Sequence, residues 1–330
     1  MGYGPIGEVN VQPDSPDKTP LTGQAAVRFV EQTLGWPMEV LRGFPKFVFI
    51  ETVNQCNSNC IMCAIDFRKK KKRLMPEALY DRILAELKPR APHLERVGLY
   101  LDCEPLLDPH LEDRLRKLKQ IGIRRTYLNS NASLLYPERA QGLIEAGLDM
   151  IYITIDSLKK DRYESIRRGL KFDDVYRNTV ELIGIRNRLN PKVVIRIQMI
   201  LQQVNCDESD AFMRHWKRLV SADDQVMVRR AHNWGGQMPL GSPAGTDEVN
   251  MVPCIAIWST LGIHVDGSVN LCCIDSGNSV QLGNVNSRSI AEIWHGEELR
   301  RIRDLHLNGR RAEIPICDGC TTWAKRTVSS

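Results

Sequence analysis

Along the middle of this chain, short apolar runs alternate with stretches whose apolar residues recur at helical spacing. The runs predict strands over Phe47–Val53, Arg96–Leu101, Arg125–Asn129, Met150–Ile155, Val193–Leu201 and Gln225–Arg229. Between them, Glu77–Leu87, His110–Ile121, Pro137–Ala146, Phe172–Leu189 and Ser209–Val220 carry amphipathic helical patterns. Proline at or just before the first helical position marks the start of three of these helices, at Pro76, Pro109 and Pro137. Strands joined by helical crossovers pair in parallel, and right-handed crossovers curl six of them into a partial barrel. The expected fold class is therefore α/β, a partial (β/α)6 TIM-like barrel over 46–230, with its chemistry on the loops at the carboxyl ends of the strands.

The pattern changes on both sides of that region. Residues 1–22 are rich in Gly, Pro, Asp and Ser and read as a flexible lead-in, and 23–45 reads as one accessory helix. After about residue 231 the alternation stops. Asp266-Gly267 between alternating residues signals a hairpin, and short helices are expected at Ser289–His295 and Glu298–His306. A small C-terminal domain over 231–330 follows from this.

Composition narrows the function. The chain has 330 residues, 26% charged and 42% hydrophobic, with a net charge of +5, which is too mild for a nucleic-acid binder of this length. No apolar stretch reaches the roughly 20 residues of a membrane span, and no signal peptide precedes the fold. The expected location is cytoplasmic, where thiols stay reduced and clustered cysteines point to metal or catalysis.

The ten cysteines fall mostly into two clusters. Cys56, Cys60 and Cys63 form a C-x3-C-x2-C hook on the loop leaving the first strand. Thiolates ligate iron–sulfur clusters, and three ligands leave one iron of a cubane open. A zinc knuckle is the competing reading, but it wants a fourth ligand that is missing locally. The basic run Arg68–Arg73 reads as a solvated loop, or as an attractor for an anionic substrate group.

The hook resembles the signature of the radical S-adenosylmethionine (radical SAM) enzymes, and further motifs follow in order. Asp102-Cys103-Glu104-Pro105 stands where the family has Gly-Gly-Glu-Pro, Ser130-Asn131-Ala132 where it has Thr-Asn-Gly, and Thr154-Ile155-Asp156 where it has Ser-Ile-Asp. The resemblance implies that Glu104 receives the SAM ammonium group. It gives Ser130, Asn131, Thr154 and Asp156 to the ribose and amino-acid tail, and Arg167 to the SAM carboxylate. It also implies reductive cleavage of SAM to a 5′-deoxyadenosyl radical, which abstracts hydrogen from an unreactive C–H bond.

In the tail, Cys254, Cys272, Cys317 and Cys320 resemble the ligand set of a SPASM or twitch auxiliary domain. Four thiolates imply one saturated auxiliary [4Fe-4S] cluster suited to electron transfer, with a zinc staple as the alternative. Such a layout is similar to radical SAM dehydrogenases of aminocyclitols, so the expected reaction is oxidation of a carbinol carbon to a ketone in a small polar substrate of aminoglycoside, aminocyclitol or sugar type. Epimerisation is the first alternative, with Cys103, Cys206 or Cys273 as hydrogen donor. Modification of a peptide, as in SPASM-type maturases, is the second. His232, between the barrel and the tail domain, is a candidate to bind a hydroxyl or take its proton. The expected partners are the small-molecule substrate and a reductant such as flavodoxin or ferredoxin, with neither membrane nor nucleic acid.

Overall fold

The computed structural model describes residues 19–69, 71–238 and 249–322, so 1–18 of the expected lead-in lie outside the described residues. The chain divides into two compact units. One comprises Phe49–Ala231 with His264–Asp266, and the other comprises the remaining described segments.

The first unit is the partial barrel. Its strands are β1 (Phe47–Ile50), β3 (Arg96–Gly98), β4 (Thr126–Ser130), β5 (Met150–Thr154), β7 (Val194–Leu201) and β8 (Gln225–Arg230), hydrogen-bonded in the order β1-β3-β4-β5-β7-β8. The pairs from β3 to β8 are parallel, with Tyr152 of β5 level with Arg196 of β7, and Arg196 level with Gln225 of β8. Two further strands of two residues each, β2 (Asn59–Cys60) and β6 (Arg167–Arg168), pair with each other in a separate antiparallel ribbon.

Helices α3 (Glu77–Leu87), α4 (Leu111–Gln120), α5 (Pro137–Glu145), α7 (Phe172–Leu189) and α8 (Ser209–Lys217) occupy the amphipathic stretches and bury their apolar faces, as Tyr80, Ile83 and Leu87 do in α3. An additional helix, α6 (Lys160–Ile166), stands where the pattern predicted none. Phe49, Tyr100, Tyr127 and Tyr152 meet in a chain of edge-on and tilted rings, and the Arg196 guanidinium lies 4.0 Å from the centre of the last. The buried Arg186 of α7 grips Asp224 at 2.8 and 2.5 Å, and Asp224 also accepts the Ile195 amide of β7.

Several strands end sooner than the apolar runs. β1 stops at Ile50, three residues before Val53, and β3 stops at Gly98. The residues beyond turn out of the ladder to build the loops at the carboxyl ends.

In the second unit β9 (Thr260–Ile263), β10 (Ser268–Asn270) and β11 (Gln281–Asn284) form an antiparallel meander, with the hairpin at the expected place. The 23–45 segment is two helices, α1 (Gly23–Leu34) and α2 (Met38–Gly43), because Gly35 closes the first in a left-handed turn at φ 75° and Pro37 cannot continue it. It belongs to this unit: α1 packs on the helix Glu297–Leu307, and Trp294 Nε1 donates to the Leu41 carbonyl.

Candidate active site

The three hook cysteines are placed by the small β2–β6 ribbon. Cys60 lies opposite Arg167, and the Ile61 amide donates to the Ile166 carbonyl at 3.0 Å. Gly169 sits at φ 95°, and a Cβ there would come within 3.1 Å of the Asn57 carbonyl, so glycine lets the loop close. Each sulfur has a polar neighbour. Asn131 Nδ2 is 3.9 Å from Cys56 Sγ, Arg167 Nη1 is 3.4 Å from Cys60 Sγ, and the Ile65 amide is 3.5 Å from Cys63 Sγ. A cavity of about 650 Å³ opens against all three. Burial, reinforced by Glu104, pushes the Cys56 thiol up to about 12, and burial pushes Cys63 up to about 11. Both keep their protons until a metal displaces them.

Glu104, 2% exposed, is the centre of the next layer. Its carboxylate accepts from Ser130 Oγ and the Asn131 amide, both at 2.7 Å, and from the Leu106 amide at 3.2 Å. Burial still outweighs those bonds and pushes its carboxyl up to about 7. Asp102 and Cys103, which replace two glycines of the resembling motif, need no positive φ, so side chains are tolerated there. Ala132 does adopt one, at 61°, held by its amide on Ser130 Oγ and by Asn178 Nδ2 on its carbonyl.

Asp156 is fully buried and occupied within the protein. Its Oδ2 accepts from Arg167 Nε at 2.6 Å and its Oδ1 from the Ile200 amide at 2.8 Å. It therefore orients Arg167 beside Cys60, and the guanidinium is held firmly cationic by Asp156 and Cys60 against the effect of burial. Thr154 Oγ1 accepts from Gln198 Nε2, whose Oε1 is buried without a partner. Sequence reasoning missed Gln198, Asn178 and Asn57. Strand register places Gln198 and helix register places Asn178, which no local spacing announces, while Asn57 lies within the hook itself beside Cys56.

In the second unit Cys254, Cys272, Cys317 and Cys320 come together. Cys272 responds electrostatically to Cys317 and Cys320, and Cys317 to Cys254, while burial raises the pKa of Cys254, Cys272 and Cys317. Arg311, 5% exposed, fastens the Cys317–Cys320 loop by donating to the carbonyls of both cysteines, at 3.0 and 2.8 Å. Asn233 donates to Gly319 O and accepts the Thr321 amide, and Gly235, at φ 61°, leaves room for the Ile316 carbonyl 2.6 Å from where its Cβ would be. His306 Nδ1 accepts the Cys254 amide at 3.1 Å. His232 uses its Nδ1 to accept the Trp234 amide and tilts against that ring, so its orientation is set by its own turn.

By donor number, the three hook thiolates suit a cubane with one iron left open and the four tail thiolates suit a saturated one, since thiolates are the ligands of iron–sulfur clusters.

Comparison with known proteins agrees. The family model of the radical SAM superfamily matches residues 50–197, and that of the SPASM iron–sulfur cluster-binding domain matches 254–321. The chain carries a radical SAM domain followed by a SPASM domain. Radical SAM enzymes hold SAM on a [4Fe-4S] cluster, and the SPASM domain adds an auxiliary iron–sulfur cluster. A curated relative, the S-adenosyl-L-methionine-dependent 2-deoxy-scyllo-inosamine dehydrogenase of Niallia circulans, is 22% identical over 84% of this radical SAM chain and 93% of its own. The GTP 3′,8-cyclase of Limosilactobacillus fermentum is 28% identical over 56% of the chain, which spans about half the length of that relative. Among solved structures, BtrN in complex with AdoMet and 2-DOIA has a TM-score of 0.59 at 20% identity, covering 84% of this chain and 94% of its own. Streptococcus suis SuiB bound to precursor peptide SuiA has a TM-score of 0.63 at 14% identity, covering 90% and 75%. No helix among the described residues is long and apolar enough to cross a membrane.

The three spare cysteines differ in setting. Cys206 is exposed in the loop after β7, and Cys273 is half-buried next to Cys272. Cys103 is half-buried next to Glu104, and burial together with Glu51 keeps its thiol well above the usual value.

Proposed function

We propose that this enzyme oxidises a carbinol carbon of a small polar substrate, of aminocyclitol, aminoglycoside or sugar type, to a ketone. The observation that carries this reading is the end-to-end match with the 2-deoxy-scyllo-inosamine dehydrogenase, covering 93% of that protein, where the cyclases match over about half of theirs. The reading gives Cys56, Cys60 and Cys63 to the cluster that binds SAM, and Cys254, Cys272, Cys317 and Cys320 to the auxiliary cluster. When bound, these groups supply the radical that removes hydrogen and an acceptor for the electron left on the substrate.

The protein's own residues do the positioning. Glu104, braced by Ser130 and Asn131, takes the SAM ammonium group. Arg167, oriented by Asp156, meets the SAM carboxylate, and Thr154 with Gln198 serves the ribose. His232 is the candidate to accept the hydroxyl proton as the carbonyl forms. A flavodoxin or ferredoxin supplies the electron that starts each turnover.

Epimerisation is the second reading, because Cys103 keeps its S–H proton and could return a hydrogen atom. Turnover in deuterated water separates the two. Dehydrogenation gives a ketone by mass spectrometry with no new C–D bond, whereas epimerisation incorporates solvent deuterium at carbon. Replacing Cys56, Cys60 and Cys63 together by alanine abolishes 5′-deoxyadenosine formation from SAM with dithionite. Its survival in that variant would overturn the assignment.

A further inference from the structure

Beside Glu104, on the same strand-end loops, stands a second acidic group that the SAM assignments leave unused. Glu51 lies one residue past β1, Asp102 lies two residues before Glu104, and His264 enters the barrel unit from the hairpin turn. Their ligand atoms lie within 4.8 Å of one another. Glu51 Oε2 accepts the Val265 amide at 3.1 Å and faces His264 Nδ1 at 3.4 Å. The other oxygen, Oε1, is shielded from solvent and has no hydrogen-bond partner, on a side chain that is 2% exposed. A buried carboxylate oxygen left unpaired is costly, and native proteins reserve such groups for a ligand or a mechanism.

The surroundings state the sign of that ligand. The charges felt most strongly at neighbouring Cys103 are Glu51, Glu104 and Asp102, all acidic. Two buried carboxylates face one imidazole. An ammonium group brings three donors and one positive charge, which suits these acceptors. The same donors would also hold a divalent ion, which is the competing outcome of the test.

We propose that Glu51 and Asp102, with His264, form the subsite that binds a primary ammonium group of the substrate, on the rim that also holds SAM. This rests on the dehydrogenase reading and narrows its substrate to amine-bearing polyols.

The test is anaerobic calorimetry on the cluster-loaded enzyme saturated with SAM. The probes are 2-deoxy-scyllo-inosamine and glucosamine, each beside its N-acetyl derivative. At least one free amine binds to the wild type, and its N-acetyl form binds about tenfold more weakly or worse, a loss of about 1.4 kcal/mol. Glu51→Gln, which keeps an acceptor for the Val265 amide, and Asp102→Asn each weaken the amine by a similar factor and leave the N-acetyl form unaffected. Cluster EPR spectra serve as the control for folding. The subsite is overturned if neither amine binds the wild type, if the amine and its N-acetyl form bind equally, or if both variants bind the amine as the wild type does. Stoichiometric Mn²⁺ binding that is lost in Glu51→Gln would make it a metal site and also overturns it. Product analysis keeps the two readings apart: a ketone formed with Glu51→Gln unimpaired sinks the subsite alone, while a bound amine that is never oxidised sinks the dehydrogenase alone.

Discussion

Ala132 and Glu104 are the two residues where the rim departs most from ordinary backbone and side-chain energetics. Ala132 is fully buried at φ 61°, a region that β-branched side chains almost never enter. Ala132→Val should destabilise the protein by about 2–4 kcal/mol through strain and overpacking. Ala132→Gly should be close to neutral, because relief of the left-handed strain offsets the lost methyl burial. Denaturant midpoints of the two variants check this. Glu104, raised to about 7 by burial, holds a proton in the folded apoprotein over a range where the unfolded chain has lost it. That contribution is complete below the ordinary carboxyl value of 4.5 and is lost as pH rises through 7. The stability advantage of wild-type apoprotein over Glu104→Gln should therefore shrink between pH 5 and pH 8, measured by melting at each pH. The seven clustered cysteines stood out in the sequence by their spacing, and Glu104 and Arg167 by resemblance to the radical SAM motifs. The role of Asp156 as the residue that orients Arg167 was not legible there, because it depends on a salt bridge between the loop after β5 and the first residue of β6.

Elements with strong periodicity were readable, and those made by non-local pairing were not. α3 and α7 begin and end where their apolar spacing says, since buried faces and helical period coincide. α6 is seven residues long with only Tyr163 and Ile166 buried and no side-chain cap, too little signal to detect. The β2–β6 ribbon joins residues more than a hundred positions apart, yet it aligns Cys60 with Arg167. The loop carrying Cys317 and Cys320 has the same character, for its shape depends on Arg311 donating to both cysteine carbonyls and to Val249 O at 2.6 Å. Arg311→Met leaves those carbonyls unpaired in a buried setting. Its iron content after reconstitution should fall from about eight to about four per chain, with SAM cleavage retained. Elemental analysis alongside a 5′-deoxyadenosine assay reads both.

At the scale of the whole molecule, the dehydrogenase reading gives the two cluster-bearing domains separate duties, and a divided phenotype follows from it. Replacing Cys254 and Cys272 by alanine should preserve SAM cleavage, because the hook lies in the other unit, while abolishing ketone formation. Product and 5′-deoxyadenosine measured in one reaction decide it. By itself the sequence determined the alternation of strand and helix, the two thiol clusters and the order of the radical SAM motifs, because each is written in local period or spacing. Tertiary structure decided what sits beside what. It split the 23–45 segment into two helices and joined them to the tail unit, ended β1 and β3 early to build the rim, and brought Glu51, Asp102 and His264 together from distant stretches of chain. Local pattern is set by each residue's neighbours in the chain, whereas a buried carboxylate oxygen without a hydrogen-bond partner, such as Glu51 Oε1, exists only once folding has excluded water from around it.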